Sequence, residues 1–398
     1  MSACKTPQGF LRSVLGAAAG VVMLAGASTG ATAAEPVKIG LVAALSGQSA
    51  KSGEAITRGL TMAIEEINQN GGVLGGRQIE LIRRDDESNP AKGQIAAREL
   101  IFREDVAVFF GGLDSPVSLA IVPVANEAGT PFMGVWAAAT GITRNGADPN
   151  YVFRVSAVDA IVDRALLEYG KEKYGTTKAG LILINNPWGE SNEEGMHEAV
   201  EHVDGVEIVG VEKFENKDVD VVPQLTRLKQ AGADTLFLVA NAAPGAQMMK
   251  SLGRMGWDVP VVSHWGISGG RFPELAGNMA EKVDFVQTYS FFGEQNEIGE
   301  RLLSRLKERY DDIDGPEDVI PPVAIANSYD AMHLVARAID KAGSTDGEAI
   351  RKALLDIESY DGLIKRYAPP FTRDNHDALS YEDYVMVRYD GTQIKPVD

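Results

Sequence analysis

The chain of 398 residues contains a single cysteine, Cys4, close to its start. Cys4 precedes an apolar stretch instead of closing it, so it fits neither a lipid-attachment cysteine nor one half of a disulfide. Once the N-terminal segment that carries Cys4 is removed, as expected below, no thiol remains, which excludes a cysteine nucleophile and thiolate ligands for a metal. A sequence without structural thiols suits an oxidising compartment, where stray thiols would form wrong disulfides.

Basic residues are also scarce, because 38 lysines and arginines stand against 56 aspartates and glutamates, a formal net charge of −18. Such an acidic surface repels nucleic acids and anionic lipids, so neither is expected as a partner. The chain is too long for one ordinary core, and its 44% hydrophobic content is enough to fill two. Two lobes are therefore expected.

Motifs for nucleotides and metals are missing from the sequence. It contains no G-x-x-x-x-G-K-[S/T] motif, and the glycines of residues 71–76 lack the dinucleotide-binding spacing. His197 and His202 lie five residues apart on a predicted helix, whereas two histidines need a spacing of four to face one zinc ion. No cofactor and no metal site are expected.

One long apolar run occurs, near the N-terminus. Lys5 and Arg12 precede or open it, residues 14–27 are apolar or small throughout, and residues 31–34 offer a small-residue cleavage site. The run is too short and too rich in glycine and alanine to fit a permanent membrane anchor well. We therefore expect residues 1–34 to be a cleaved signal peptide and the mature protein to reach the periplasm. Removing Lys5 and Arg12 with this segment, which holds no acidic residue, leaves a net charge of −20.

From residue 37 onward, short apolar runs alternate with amphipathic stretches, a pattern typical of parallel sheets covered by helices. One series occupies residues 37–156 and a similar one residues 179–263, which predicts an α/β protein of two Rossmann-like lobes with parallel central sheets. An extended run at residues 284–292 is placed to cross back, and residues 384–391 predict a late hairpin. A multi-strand hinge with a ligand cleft is expected between lobe 1, residues 35–154 plus 287–365, and lobe 2, residues 155–286 plus 366–398.

Several short motifs fall in the register of one known family. They are Ile39-Gly40-Leu41, Leu45-Ser46-Gly47, Glu65-Glu66-Ile67-Asn68 before the glycine-rich residues 71–76, Asp85-Asp86, Gly111-Gly112, Gly129-Thr130-Pro131 and Phe153-Arg154. Over essentially the whole chain after residue 34, the sequence resembles the branched-chain amino-acid type of periplasmic binding proteins, the soluble components of ABC importers. The resemblance implies a type I periplasmic binding fold, a small-molecule ligand and a membrane permease as partner.

The predicted ligand residues lie in loops that follow strands. Open α/β sheets bind ligands beyond the carboxyl ends of their strands, and the resemblance implies that these ends face the cleft in both lobes. No catalytic residue is predicted. The predicted ligand-binding residues are Ser46, Ser52, Leu113, Asp114, Ser115, Trp136, Ala137, Ala138, Trp188, Asn241, Ala242 and Trp265.

Two neighbouring polar residues allow more than one role. Ser115 precedes the proline of a predicted helix, so its hydroxyl can cap that helix, and the resemblance implies that it helps to hold a ligand carboxylate. Asp114 stands where amino-acid-binding relatives have a neutral residue. It can accept a ligand hydroxyl or cation, or only favour the helix N-terminus. Both alternatives stay open for each residue.

Tryptophan is concentrated in the predicted cleft loops. Trp265 takes the position where amino-acid-binding relatives have an acidic residue that pairs with the ligand ammonium, and Trp136 and Trp188 occupy two other cleft loops. The fourth tryptophan, Trp257, is expected in the core. The ligand is therefore expected to be aromatic, extended apolar or cationic, with an amino-acid-like ligand as the alternative.

One motif argues for an enzyme, because residues 266–270 read G-x-S-x-G around Ser268. A nucleophile elbow needs a helix directly behind the serine, whereas Pro273 follows soon after, and neither His333 nor His376 has a recognisable acid partner. We therefore expect a monomeric, non-enzymatic protein that captures a ligand by hinge closure and delivers it to a permease. A sensor that signals to a membrane receptor is the alternative, and a hydrolase using Ser268 is a further one.

Overall fold

Five strands build the sheet of the first lobe in the computed structural model, which describes residues 34–397. They are β1 (Val37–Ala43), β2 (Ile79–Asp85), β3 (Val108–Gly111), β4 (Phe132–Gly134) and β5 (Val152–Arg154). All neighbouring strands run parallel, in the order β2-β1-β3-β4-β5. Parallel strands need crossover connections, and here helices supply three of them.

The three crossover helices of the first lobe are α1 (Ala50–Gln69), α2 (Pro90–Phe102) and α3 (Ser115–Ala128). They cover both faces of the sheet, because side chains alternate along its strands. Ile39 and Leu41 of β1 belong to the apolar layer under α1, whereas Val42 belongs to the layer under α2 and α3. The cap residue and proline of Asn89-Pro90 predict the start of α2, and this is confirmed, since the Asn89 side chain accepts hydrogen bonds from two N–H groups of the first turn.

The second lobe repeats this strand–helix alternation. Its strands are β6 (Lys178–Ile184), β7 (Glu207–Phe214), β8 (Thr235–Val239), β9 (Val261–Ser263) and β10 (Val283–Gln287). Its helices are α4 (Asp159–Tyr174), α5 (Pro187–Val200), α6 (Val222–Gln230), α7 (Ala242–Met255) and the short α8 (Phe272–Ala276). The two similar lobes expected from the sequence are therefore present.

After β10 the chain returns to the first lobe. It forms α9 (Glu297–Arg309), α10 (Pro322–Ala342), α11 (Gly347–Leu355) and a short hairpin of β11 (Tyr360–Asp361) and β12 (Arg366–Tyr367). Arg305 of α9 donates to Glu66 of α1 at 3.0 Å. Helix α10 lies so close to α1 that a Cβ on Gly59 would stand 2.1 Å from Ser328 Oγ.

The end of the chain completes the second sheet. Strands β13 (Val385–Asp390) and β14 (Gln393–Pro396) form the expected late hairpin, and β13 pairs antiparallel with β10. The sheet order is β14-β13-β10-β9-β8-β6-β7. The chain thus passes between the lobes after β5, after β10 and after β12. Three passages allow a hinge between two rigid bodies.

Some sequence expectations differ from the structure, and others lie outside it. The sequence predicts a helix over residues 193–203, whereas α5 begins already at Pro187, because Asn186 caps it and Pro187 supplies a ready-made first residue. The first 33 residues of the expected signal peptide lie outside the described residues, and the expected lobe limits stay a prediction. Among residues 34–397, no helix combines the length and apolar character needed to cross a bilayer.

Candidate functional site

A crevice opens where neighbouring strand connections diverge. In the first sheet, β1 and β3 are neighbours whose chains continue to strands on opposite sides, and β6 and β8 repeat this arrangement in the second sheet. Such switch points form ligand sites beyond the carboxyl ends of strands. The loops that follow these four strands meet at a cavity of about 520 Å³. This volume lies within the usual range of small-molecule sites, about 300–1,000 Å³.

All the sequence-predicted ligand residues line this one cavity, so the structure brings the whole set together. Whether each contacts a ligand stays a prediction. The lining set is Ser46, Ser52, Leu113, Asp114, Ser115, Trp136, Ala137, Ala138, Trp188, Asn241, Ala242 and Trp265. Sequence reasoning missed several further lining residues, notably Glu87, Ser88, Asn216 and Lys217.

Glu87 and Ser88 reach the cavity through an uncommon backbone conformation. Both have positive φ angles, 51° and 56°, in the left-handed region that non-glycine residues rarely adopt. The carboxylates of Asp85 and Asp86 hold this turn by accepting the N–H groups of Glu87 and Ser88, at 2.9 and 2.8 Å. The only sequence signal for this turn is the run Asp-Asp-Glu-Ser-Asn-Pro, which is rich in turn-forming residues.

Two tryptophans meet across the cleft. Trp136 belongs to the first lobe and Trp265 to the second, and their ring centroids lie 5.8 Å apart at 43°. Both indoles are almost completely buried. Because this contact joins the two lobes, the structure shows the cleft closed. Trp257, expected in the core, is half-buried: it packs against the core of fully buried residues, and Lys229 Nζ lies 5.7 Å from its ring.

A hydrogen-bond chain fixes the tryptophans of the second lobe. Asp159 accepts the Trp188 Nε1–H at 3.2 Å and lies 3.0 Å from His264 Nε2. His264 Nδ1 accepts the backbone N–H of Trp265 at 2.8 Å. An accepting Nδ1 carries no proton, so His264 donates to Asp159 through Nε2. The Trp188 N–H is therefore held by Asp159, and only the apolar part of this indole is left to line the cavity.

The expectation that Ser115 caps α3 is wrong by one residue. Asp114 occupies the cap position with an extended backbone, φ −93° and ψ 135°, and Ser115 is already the first helical residue. The Ser115 hydroxyl oxygen instead accepts the N–H of Ala139 at 3.2 Å. This bond ties α3 to the cleft loop after β4 and leaves the hydroxyl proton to be donated.

Asp114 and Asn241 form a hydrogen bond between the lobes. Asn241 Nδ2 donates to Asp114 Oδ1 at 2.7 Å, although each residue stands at the start of its own lobe's helix, and neither side chain caps that helix. Burial raises the pKa of Asp114, and the nearby side chains of Ser88 and Asn241 act against that rise. The second carboxyl oxygen, Oδ2, is buried without a hydrogen-bond partner among the described residues.

Two consecutive glycines allow this geometry. Gly111 and Gly112 end β3 with φ angles of 131° and 63°. A Cβ on Gly111 would lie 1.8 Å from the Val42 carbonyl oxygen, and one on Gly112 would lie 1.7 Å from Ser118 Oγ. Only glycine fits both the backbone and the space, so these positions bring the start of α3 up to the cleft.

Arg154 supports the cleft loop from behind. Its guanidinium is fully buried and donates to the carbonyl oxygens of Ala137 and Ala139 at 3.2 and 3.0 Å. The same group donates from Nε to Asp377 Oδ1 at 2.7 Å and from Nη2 to Thr143 Oγ1 at 2.9 Å. The Phe153-Arg154 motif thus holds the cleft wall without lining the cavity.

The G-x-S-x-G motif does not form a nucleophile elbow. Ser268 ends a buried 3₁₀ turn and is followed by an extended Gly269, and the next helix starts only at Phe272. Ser268 Oγ has no hydrogen-bond partner among residues 34–397. His376 instead contacts the Val152 carbonyl oxygen at 2.8 Å, and His333 packs against Tyr329. In the same part of the chain, no three His, Cys, Asp or Glu residues are grouped as a metal site requires.

A buried carboxyl near the cleft should make stability depend on pH. Burial first, and then the charges of Asp114 and Asp85, raise the pKa of Asp86 to about 7. Between pH 4 and 7 the folded protein therefore keeps on Asp86 a proton that the unfolded chain has released, so the contribution of Asp86 to the free energy of unfolding should fall as pH rises. The expected fall is a few kcal/mol, because each pKa unit is worth about 1.4 kcal/mol.

Urea unfolding at pH 4.5 and pH 7.5 would measure this fall in the wild type and in Asp86→Asn. The variant should lose much of the slope. It should keep the part due to Asp330, whose pKa burial raises to about 6. Equal slopes in the two proteins would contradict the role of Asp86.

Comparisons with known proteins cover almost all of the described residues. A family model described as periplasmic binding protein matches residues 36–393. The chain belongs to the periplasmic binding protein family. A curated relative of this family member, the Leu/Ile/Val-binding protein homolog 3 of Brucella melitensis, is 24% identical over 90% of this chain and 92% of its own.

Two solved structures resemble this periplasmic binding protein over 91% of its chain. The branched-chain amino acid transporter substrate binding protein of Streptococcus pneumoniae, in complex with isoleucine, has a TM-score of 0.78 at 25% identity over 99% of its own chain. A solute binding protein of an ABC transporter from R. palustris, in complex with 4-hydroxybenzoate, has a TM-score of 0.76 at 21% identity over 96% of its own chain. The fold is thus the type I periplasmic binding fold, of the branched-chain amino-acid type.

Proposed function

We propose that this periplasmic binding protein captures a small organic ligand with a planar aromatic ring and delivers it to the permease of an ABC importer. The observation that carries the proposal is the presence of three indoles, Trp136, Trp188 and Trp265, in the wall of one cavity. Indoles present large apolar faces that stack on planar rings, and aromatic pairs gain about 0.5–1.5 kcal/mol beyond the burial of their area.

The cavity is poorly matched to an ordinary amino acid. Trp265 replaces the acidic residue that the resemblance to amino-acid-binding proteins leads one to expect, so that loop offers no partner for an ammonium group. The cavity lining does include two carboxyl groups, those of Asp114 and Glu87, but both belong to the first lobe and not to the loop of Trp265. The R. palustris protein bound to 4-hydroxybenzoate supports an aromatic ligand in this fold, whereas the S. pneumoniae protein bound to isoleucine represents the competing class.

The binding test is calorimetric titration of the mature protein against matched ligand groups. The aromatic group is benzoate, 4-hydroxybenzoate, 3,4-dihydroxybenzoate and benzylamine, and the aliphatic group is leucine, isoleucine and choline. We expect at least one aromatic compound to bind, and a free concentration of 100 Kd to stabilise the fold by about 2.7 kcal/mol. Binding of leucine or isoleucine with no binding in the aromatic group would contradict the proposal.

Delivery to a permease rests on closure and on export. The lobes contact each other through Asp114 with Asn241 and through Trp136 with Trp265. A protein whose lobes have opened would lack these contacts, so a permease can distinguish the closed, ligand-bound shape from the open one. Cleavage of residues 1–34 would release the mature protein into the periplasm as a monomer. N-terminal sequencing of the exported protein tests the cleavage, and sedimentation tests the monomer.

Capture of the membrane partner by crosslinking separates transport from sensing. A permease with its ATPase supports the importer role. A receptor kinase or another signalling protein in their place would favour the sensor.

A further inference from the structure

We propose that Asp114 selects ligands that carry a hydrogen-bond donor, a hydroxyl or a protonated amine, on or beside the aromatic ring. The proposal rests on the proposed function, because it names the ligand chemistry of the same cavity. Its basis is the position of the Asp114 carboxyl group between the two lobes. Asn241 of the second lobe donates to its Oδ1 atom, and its Oδ2 atom has no hydrogen-bond partner among the described residues.

The first step concerns what Asp114 does not do. It stands at the cap position of α3, where an aspartate side chain normally accepts an N–H of the first helical turn, yet it makes no such bond. Its carboxyl is instead turned to Asn241 of the second lobe. The side chain is therefore directed across the cleft and not back onto its own helix.

The second step concerns the free oxygen. Asp114 lines the cavity, and its Oδ2 atom is buried without a partner among residues 34–397. A buried acceptor without a donor is costly, and a carboxylate more so than a neutral group. A ligand hydroxyl or ammonium in the cavity would supply that donor.

The third step concerns charge. No lysine, arginine or histidine of the described chain forms a salt bridge with Asp114, although Glu87 at the rim is paired with Lys92 at 2.5 Å. Asp86 is a second buried carboxyl of the same region, and its pKa is raised partly by the charge of Asp114. A ligand carboxylate placed here would meet repulsion, whereas a donor would form a charge-assisted hydrogen bond.

The fourth step concerns direction within the cavity. The lining residues of the described chain include a single basic side chain, Lys217, in the loop after β7 of the second lobe. A ligand with both a donor and an anionic group would therefore point its donor at Asp114 and its anionic group away from it.

The test compares two probes of similar size, 4-hydroxybenzoate and 4-fluorobenzoate, which differ in the donor. We expect the wild type to prefer 4-hydroxybenzoate by about 10- to 100-fold, the range of a hydrogen bond to a charged group. In Asp114→Asn, which keeps the shape of the side chain and can still accept from Asn241, the preference should fall below about 3-fold. Benzylamine serves as a second arm and shows whether an ammonium group replaces the hydroxyl as donor.

The matched control is Asn241→Ala, which removes the contact between the lobes but keeps the Asp114 carboxyl. It should weaken both probes by the same factor and keep the preference for 4-hydroxybenzoate. Thermal melts of both variants check that the fold is retained. If Asp114→Asn weakened both probes equally, Asp114 would be only a closing contact and the proposal would be wrong.

The two proposals fail in different ways. Aromatic probes that bind the wild type with no preference for a donor would overturn the role of Asp114 and leave the aromatic ligand standing. Binding of aliphatic amino acids without any aromatic compound would overturn both.

Discussion

Trp265→Ala should weaken binding of 4-hydroxybenzoate by about 100-fold or more, whereas Trp257→Ala should change it by less than about 3-fold, since only buried aromatic anchors carry large binding energies. Trp265 lines the cavity, is 1% exposed, and packs against Trp136 of the opposite lobe. Its loss would remove part of the cavity wall and the contact that joins the lobes. Trp257 is half-exposed and does not line the cavity.

Calorimetric titration of the two variants side by side gives the comparison, and Trp265→Phe adds a graded control. Phenylalanine keeps an aromatic face of smaller area, so its affinity should lie between those of the wild type and the alanine variant. Removing a buried indole also costs about 3–5 kcal/mol of folding free energy, so melting curves must show that the alanine variant is folded during titration. Equal losses of affinity in Trp265→Ala and Trp257→Ala would rule out an indole-lined ligand site.

Much of the cavity could be predicted from the sequence because its geometry follows from strand order. The residues after β1, β3, β6 and β8 gather at one edge of each sheet whenever the strands are parallel and the connections diverge. Trp188, which follows β6, could therefore be placed near the cleft once the apolar run before it was recognised as a strand. Trp265 follows β9, the parallel neighbour of β8, and could be placed at the same edge in the same way. The helix and strand pattern needed only local information.

The polar contacts of the site could not be predicted, because they join residues distant in sequence. Asp159, which fixes Trp188 and His264, comes from α4, and nothing in its local sequence distinguishes it from an ordinary first-turn acid. The bond from Asn241 to Asp114 depends on how far the lobes close. The sequence placed Ser115 at the cap position of α3, which Asp114 occupies, and local sequence did not show that neither side chain caps this helix.

Arg154→Met should lower the free energy of unfolding by about 3–5 kcal/mol, the usual cost of removing one partner from a buried ion pair. Arg154 and Asp377 are 0% and 2% exposed, and their side chains meet at 2.7 Å. Without the guanidinium, the Asp377 carboxylate would stay buried with the Thr143 hydroxyl as its remaining side-chain donor. The carbonyl oxygen of Ala137 would also lose this donor, and that of Ala139 would keep only the Ile142 N–H.

Urea unfolding measures this cost, and Arg164→Met is the matched control. Arg164 pairs with Glu168 on the surface of α4, at 2.9 Å and with its own side chain 53% exposed, so its loss should cost less than about 1 kcal/mol. The double variant Arg154→Met/Asp377→Leu should recover part of the lost stability, because it removes the stranded charge. Arg154→Met as stable as Arg164→Met would show that the buried pair does not hold the fold.

Arg154→Met should also lower the affinity of the cavity for its ligand. Arg154 pairs through its backbone with the passage from lobe 1 to lobe 2, donating to the His376 carbonyl oxygen and accepting from Ala378 N–H, both at 2.9 Å. Its side chain meanwhile holds the loop that carries Ala137 into the cavity. Arg154→Met should therefore weaken 4-hydroxybenzoate under conditions where the variant is folded, although Arg154 touches no ligand. Unchanged affinity in the folded variant would mean that the loop keeps its shape without the guanidinium, and that Arg154 serves stability alone.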